Sequence, residues 1–251
     1  MNSEDNWNLL ILGSPRSGTT LLSAMLGCHR DVAILNEDPN CSEFGVLSKK
    51  VSGNKLCVPN QIEMIHDWKM FMVDRLIKSY LDCTYPIRRR LDINALVSGE
   101  LKARYSITDY ITKLDNLHIL ALIRSPEDVI RSIKARGLQG EKAARYRWRR
   151  ATEILYELYL TEDLVGRLAF IHFDRLVSDP EVVMGKIMSR LDLEHDEAVM
   201  RGYLHTPQYH GYDKIDSSKK GWGLDSDLQH SLLRTDKELS RKYECLLRES
   251  L

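Results

Sequence analysis

The sequence of 251 residues has no net charge and no apolar run long enough to cross a membrane. A bilayer-spanning helix needs roughly 20 consecutive apolar residues, and no stretch approaches that length. The 36 basic and 36 acidic residues cancel, so no overall field attracts nucleic acid or an acidic membrane. These absences exclude a transmembrane protein and disfavour a nucleic-acid partner.

Cysteine and histidine lack the spacings that bind metals or form disulfide frameworks. The five cysteines are scattered, odd in number and free of any C-x-x-C pair. His205 and His210 are separated by Pro207, which prevents them from sharing a helix face, so we assign no metal. The polar, acidic segment 1–8 leads into an apolar run that continues directly into a glycine-bounded loop. We interpret this run as a strand and not as a signal peptide, and predict a cytoplasmic protein.

Short apolar runs alternate with longer helical patterns, which is typical of a parallel sheet with crossover helices. We therefore predict an α/β fold with a single domain over residues 1–251. Strands are expected at 8–13, 32–35, 96–101, 118–123 and 168–172, and helices at 19–28, 60–81, 106–115, 126–136, 141–162, 180–191, 195–203 and 226–248. The interval 38–96 shows no obvious core strand, and we interpret it as a helical insertion that binds an acceptor. The alternative is a helix that simply packs on the sheet.

The first motif is the loop 13–20, which reads G-S-P-R-S-G-T-T between an apolar run and a helical pattern. Its glycines permit tight turns, and the backbone N–H groups at the start of the following helix favour an anion. The spacing is that of the ATP-binding P-loop, but Thr19 stands where the lysine should be. Arg16 is the nearby cation. The loop is therefore predicted to hold a terminal group other than a γ-phosphate.

The second motif is an arginine at the end of a predicted strand. Residues 118–123 are apolar, and Ser125, Pro126 and Asp128 together give a helix start. Ligands of parallel sheets bind at the carboxyl ends of strands, so Arg124 can present its guanidinium to a phosphate. The alternative is pairing with a surface carboxylate.

These two motifs resemble those of the sulfotransferases that use 3′-phosphoadenosine 5′-phosphosulfate (PAPS). The family pattern P-[KR]-[ST]-G-T-T is matched by residues 15–20, and 171–180 resembles its structural Y-E-D-L-x-x-x-P segment. The resemblance covers about 9–191 and implies a three-layer α/β/α fold of the P-loop type without a metal. It implies that the 5′-phosphosulfate is bound by Arg16, Ser17, Gly18, Thr19 and Thr20, and the 3′-phosphate by Arg124 and Ser132.

The resemblance also suggests catalytic groups. Glu37 follows the second predicted strand, where bacterial, carbohydrate and tyrosylprotein sulfotransferases carry a glutamate base. Segment 101–105 lacks the histidine of the phenol and steroid branch but keeps Lys102, which the resemblance places at the sulfuryl oxygens, with Arg16 as a further catalytic cation. Glu37 could instead cap a helix or form an ion pair, and Lys102 could lie on the surface. Lys219, Lys220 and Gly221 partly match the loop that closes over the 3′-phosphate, with an ordinary turn as the alternative.

The sequence therefore predicts transfer of a sulfuryl group from PAPS to a hydroxyl or amine. A P-loop small-molecule kinase and a protein that binds PAPS without catalysis remain alternatives. Neither the acceptor nor the oligomeric state can be derived from these residues.

Overall fold

The computed structural model describes residues 6–38, 47–65, 105–135, 140–206 and 236–251. Five parallel strands form the sheet of this part of the chain: β1 (Trp7–Gly13), β2 (Val32–Asn36), β3 (Val51–Cys57), β4 (Leu117–Ile123) and β5 (Leu168–His172). Their order is β2-β3-β1-β4-β5, which puts β1 at the centre. The helices are α1 (Thr19–Leu26), α2 (Ile107–Lys113), α3 (Pro126–Ala135), α4 (Glu141–Tyr159), α5 (Phe173–Ser178), α6 (Pro180–Arg190) and α7 (Lys237–Arg248). Two 3₁₀ helices cover Glu162–Leu164 and Glu197–His205.

The helices cover both faces of the sheet. Leu9 and Ile11 of β1 pack on one face against α1 and α6, while Leu10 and Leu12 pack on the other against α2 and α4. Strands covered on both faces are apolar at successive positions, which explains why β1 and β4 could be predicted from the sequence. Each fully buried leucine contributes about 1.5–3 kcal/mol. The predicted α/β/α architecture is thus confirmed.

One strand of the sheet was not predicted. The expectation that 38–96 contains no core strand is wrong, because β3 lies there and pairs with β1 on one side and β2 on the other. Its sequence V-S-G-N-K-L-C includes glycine, asparagine and lysine, which are uncommon in buried strands. Gly53 is required by close packing, since an added Cβ would lie 2.3 Å from the Leu9 carbonyl oxygen.

Other boundaries agree in part. Residues 60–65 do not begin the helix predicted over 60–81, and the rest of that span, together with the strand predicted at 96–101, lies outside the described residues. The helix start at Ser125 is confirmed, because its Oγ accepts the Asp128 N–H at 3.3 Å. The predicted 195–203 helix is observed as a 3₁₀ helix, and α7 is described only from residue 237. The single-domain organisation stays a prediction.

None of the helices in the described ranges combines the length and apolarity needed to cross a bilayer.

Candidate functional site

The loop between β1 and α1 is shaped by two glycines. Gly18 has φ 104° and ψ 9°, a left-handed conformation, and an added Cβ would lie 2.3 Å from Cδ2 of Phe173. A Cβ on Gly13 would lie 2.5 Å from the Ser17 Oγ. Neither position accepts a side chain without displacement of its neighbours. The loop conformation therefore depends on the glycines that the sequence places there.

Helix α1 begins at Thr19 without a side chain that caps its first turn. The N–H groups at the start of a helix have no acceptor within the helix, and the helix dipole adds positive potential there. Arg16, just before this turn, has φ 75°. Such a conformation costs about 1–3 kcal/mol in a residue other than glycine and is commonly found at ligand sites. The loop thus has the backbone features of an anion site.

The two motifs predicted to bind phosphate meet at the carboxyl edge of the sheet. Arg16 Nε donates to Ser132 Oγ on α3 at 2.9 Å, and Arg124 Nη1 donates to the Arg16 carbonyl oxygen at 3.2 Å. The Arg124 guanidinium lies 3.9 Å above the Phe173 ring, and its Nε is 3.7 Å from Asp128 Oδ2. Because a ring and a carboxylate hold the guanidinium, its orientation is defined before any ligand arrives.

Glu37 follows the end of β2 at the same edge of the sheet. Its φ of 61° is left-handed, and its N–H donates to the Lys55 carbonyl oxygen at 2.9 Å. The side chain of Asn54 continues the ladder: its Nδ2 donates to the Asp38 carbonyl oxygen at 2.6 Å, and its Oδ1 accepts from the Asp38 N–H at 3.4 Å. Backbone on both sides of Glu37 is therefore anchored to β3.

The Glu37 carboxylate is bound by side chains from β3 and the turn after it. Oε1 accepts from Lys55 Nζ and lies 3.7 Å from the Cys57 Sγ, and Oε2 accepts from Gln61 Nε2 at 2.8 Å. The Lys55 side chain is 1% exposed and that of Glu37 is 41% exposed. Burial by itself would raise the pKa of Glu37, but the hydrogen bonds and charge of Lys55, with Gln61 and Cys57, lower it below the ordinary value. The carboxylate is thus ionised at neutral pH and reaches solvent on one side.

The sequence profile of the sulfotransferase family matches residues 8–197, which run from the second residue of β1 to beyond α6. The chain belongs to the sulfotransferase family. A sequence comparison with curated proteins gives no match.

A solved sulfotransferase domain agrees in fold with this chain, and further solved sulfotransferases are similar to it at lower TM-scores. The sulfotransferase domain from the curacin biosynthetic pathway superposes with a TM-score of 0.55 at 18% identity, over 94% of this chain and 98% of that domain. The sulfotransferase domain of the Synechococcus PCC 7002 olefin synthase gives a TM-score of 0.49 at 20% identity, over 93% and 96% of the two chains. A sulfotransferase from Alicyclobacillus acidocaldarius gives 0.47 at 16% identity, over 98% and 97%.

The structure brings several predicted residues of this sulfotransferase together. Arg16 of the loop contacts both Arg124 and Ser132, and Glu37 lies on the same edge of the sheet. Lys102, Lys219, Lys220 and Gly221 lie outside the described residues. Within the described ranges, no group of three or more His, Cys, Asp or Glu side chains is arranged to hold a metal ion.

Lys55 and Gln61 were not among the residues predicted from the sequence. Both belong to the region where β3 was missed, so their proximity to Glu37 was not foreseen. The available signal was a lysine within a short run that begins at Val51 and ends in Leu56, Cys57 and Val58. A charged residue in a run of strand length that starts and ends with apolar residues indicates either an exposed edge strand or a buried charge with a partner.

Proposed function

We propose that this sulfotransferase moves the sulfuryl group of PAPS to a hydroxyl or amine of an acceptor, with Glu37 as general base. The observation that carries the proposal is the direct contact between the two anion-binding motifs, Arg16 with Ser132 and Arg124 with the Arg16 carbonyl. Motifs more than 100 residues apart in sequence meet at one sheet edge, as recognition of one ligand with two phosphate groups requires.

The described residues fit such a donor. The first turn of α1 has no side-chain cap, so its N–H groups can face an anion, and Arg16 precedes this turn. Arg124 and Ser132 offer a guanidinium and a hydroxyl for a second phosphate. PAPS would supply the activated sulfuryl group, and the protein would supply binding and orientation.

Glu37 is suited to take the proton of the acceptor. A new bond from the acceptor oxygen or nitrogen to sulfur forms while the bond from sulfur to the phosphate oxygen breaks, and Glu37 accepts the released proton. A carboxylate with a lowered pKa is a weak base towards a free alcohol. It accepts a proton readily once bond formation to sulfur has made the attacking atom acidic.

Lys55 supplies positive charge beside the Glu37 carboxylate. Its ammonium forms an ion pair with the Glu37 carboxylate. We infer that Lys55 stabilises negative charge on the sulfuryl oxygens during transfer, a role that the sequence suggested for Lys102. Electrostatic stabilisation of this kind is a large contribution to many enzymatic rate enhancements.

A transfer assay tests the proposal. Protein, [³⁵S]PAPS and separate pools of carbohydrate, peptide, lipid and phenolic acceptors are incubated, and labelled products are identified by a mass gain of one sulfuryl unit. Transfer without added metal supports the proposal. Phosphate transfer from ATP with Mg²⁺ would instead indicate a kinase, and binding of PAPS without turnover in any pool would indicate a non-catalytic protein.

Glu37→Gln tests the base. The substitution keeps an oxygen that can accept from Lys55, turns an NH₂ group towards that of Gln61 and cannot take a proton, so we expect turnover to fall about 10²–10⁴-fold. Affinity for adenosine 3′,5′-bisphosphate (PAP), measured by calorimetry, should stay within about twofold because Glu37 does not contact the phosphate-binding motifs in this structure. Unchanged turnover would remove Glu37 from the mechanism.

A further inference from the structure

Gln61 links the turn after β3 to the Glu37 carboxylate. Its side chain is 8% exposed, and both ends of its amide are hydrogen-bonded. Oε1 accepts from the Cys57 N–H at 2.7 Å, and Nε2 donates to Glu37 Oε2 at 2.8 Å. The Gln61 N–H in turn donates to the Cys57 carbonyl oxygen at 2.8 Å. Gln61 is thus fixed by the backbone of the strand that carries Lys55.

These contacts determine which way the amide points. A backbone N–H only donates, so the atom of Gln61 that faces Cys57 must be the carbonyl oxygen. The NH₂ group therefore faces Glu37 and donates to an ionised carboxylate, an arrangement in which every group has a complementary partner. A flipped amide would place two donors against each other at Cys57 and two acceptors against each other at Glu37.

We propose that Gln61 is a positioning residue for the carboxylate of Glu37, an inference that rests on the proposed role of Glu37 as the base. Lys55 holds Oε1 and Gln61 holds Oε2, so the plane of the carboxylate is set by two contacts on different oxygens. A carboxylate has about four acceptor positions; Lys55, Cys57 and Gln61 donate to three of them, and the remaining one on Oε2 stays available for the acceptor's proton. Displacement of a reacting group by about 1 Å can cost 10²-fold in rate.

Gln61→Glu separates this role from a purely structural one. The new carboxylate still accepts from the Cys57 N–H, so the turn is retained, but it loses the donor and places a second negative charge beside Glu37. Burial of like charges raises a carboxyl pKa. The described titratable groups that face Glu37 are Lys55 and Cys57, both on β3.

The first measurement needs no acceptor. Carbon-13 NMR of glutamate-labelled protein follows the Glu37 carboxyl signal, which is assigned by its loss in Glu37→Gln. We expect the pKa of Glu37 to rise in Gln61→Glu, and to rise by less in Gln61→Met, which removes the donor without adding charge. An unmoved titration in both variants would overturn the proposal.

The second measurement is turnover with the acceptor pool that responds in the transfer assay. Gln61→Glu should lower kcat about 10–100-fold, shift the acidic limb of the kcat profile to higher pH, and leave PAP affinity within about twofold. If Glu37→Gln lowers turnover and Gln61→Glu does not, the positioning role is wrong while the proposed function stands. If Glu37→Gln has no effect, the proposed base itself is wrong.

Discussion

The ion pair between Lys55 and Glu37 joins a fully buried charge to a half-exposed one. A buried ammonium is costly unless it is paired, and here the partner is the carboxylate proposed as the base. Glu37 therefore lowers the free-energy cost of burying the Lys55 ammonium, and Lys55 keeps the Glu37 carboxylate ionised. Alanine at position 37 would leave Lys55 without this partner, which makes glutamine the better substitution for separating catalysis from stability.

Arg124 makes structural contacts and has a proposed role in recognition, and the two can be distinguished. Because the proposed 3′-phosphate contact is charge-assisted, Arg124→Ala should weaken PAP binding by roughly 10–100-fold in calorimetry. Adenosine 5′-phosphate, which lacks the 3′-phosphate, should lose little affinity.

The neighbouring Arg131→Ala is a matched control. Arg131 lies 3.9 Å from Asp128, the same carboxylate that Arg124 approaches, but it is not one of the residues predicted to bind the 3′-phosphate, so Arg131→Ala should leave PAP affinity nearly unchanged. Equal losses for both nucleotides in Arg124→Ala would contradict the 3′-phosphate assignment. The arginine would then act by holding the Arg16 carbonyl instead.

The residues that the sequence revealed at this site belong to elements with strong local signals. Arg124 follows an apolar strand and precedes a helix start, and Glu37 follows another strand, so their meeting at one edge is a consequence of parallel topology. Lys55 and Gln61 could not be found in this way. Their function depends on the pairing of β3 with both β1 and β2, a long-range arrangement that local patterns do not encode.

Strand β3 lies between β1, which precedes the glycine-bounded loop 13–20, and β2, which precedes Glu37. Gly13 pairs with Cys57, and Asn36 pairs with Lys55. A shift of β3 by one residue would turn Lys55 to the opposite face, since side chains alternate along a strand. The register of β3 therefore determines whether Glu37 has a cationic partner.

The contact between Gly18 of the glycine-bounded loop and Phe173 of α5 gives a further prediction. Gly18→Ala introduces a Cβ 2.3 Å from Phe173 at a φ of 104°, so we expect a loss of about 1–3 kcal/mol in the free energy of unfolding. PAP affinity should fall as well, because the loop and Arg124 both pack on Phe173. Urea unfolding and calorimetry measure the two effects.

Gly185→Ala in α6 is the matched control. An added Cβ there has no neighbour within 4 Å, so alanine should stabilise the helix by about 0.5–1 kcal/mol without altering PAP affinity. If Gly18→Ala kept the wild-type free energy of unfolding and the wild-type PAP affinity, the loop would not be packed against Phe173 as described.

The residues proposed to bind the donor and the buried His118 lie at opposite edges of the sheet. The carboxyl edge carries the loop, Arg124 and Glu37, whereas the start of β4 carries His118, packed edge-on against Trp7 at 4.5 Å between ring centroids. Burial, and then the charges of Arg190 and Arg167, lower the pKa of His118 to about 4. An unfolded histidine titrates near 6.5, so only the unfolded chain gains this proton at mildly acidic pH.

His118 should therefore make the folded protein sensitive to acid. Stability from a depressed histidine pKa is fully present above about pH 6.5 and is lost as the pH falls from there towards 4. Between about pH 7.5 and about pH 5 the loss amounts to roughly 2 kcal/mol. His118→Phe keeps a ring against Trp7 but removes the titration, so this part of the pH dependence should disappear. Urea unfolding followed by tryptophan fluorescence at both pH values measures it. Any change in the free energy of unfolding that comes from repacking is the same at both pH values and so does not affect the comparison. Parallel pH dependences of the variant and the wild type would show that His118 is protonated equally in the folded and unfolded chains.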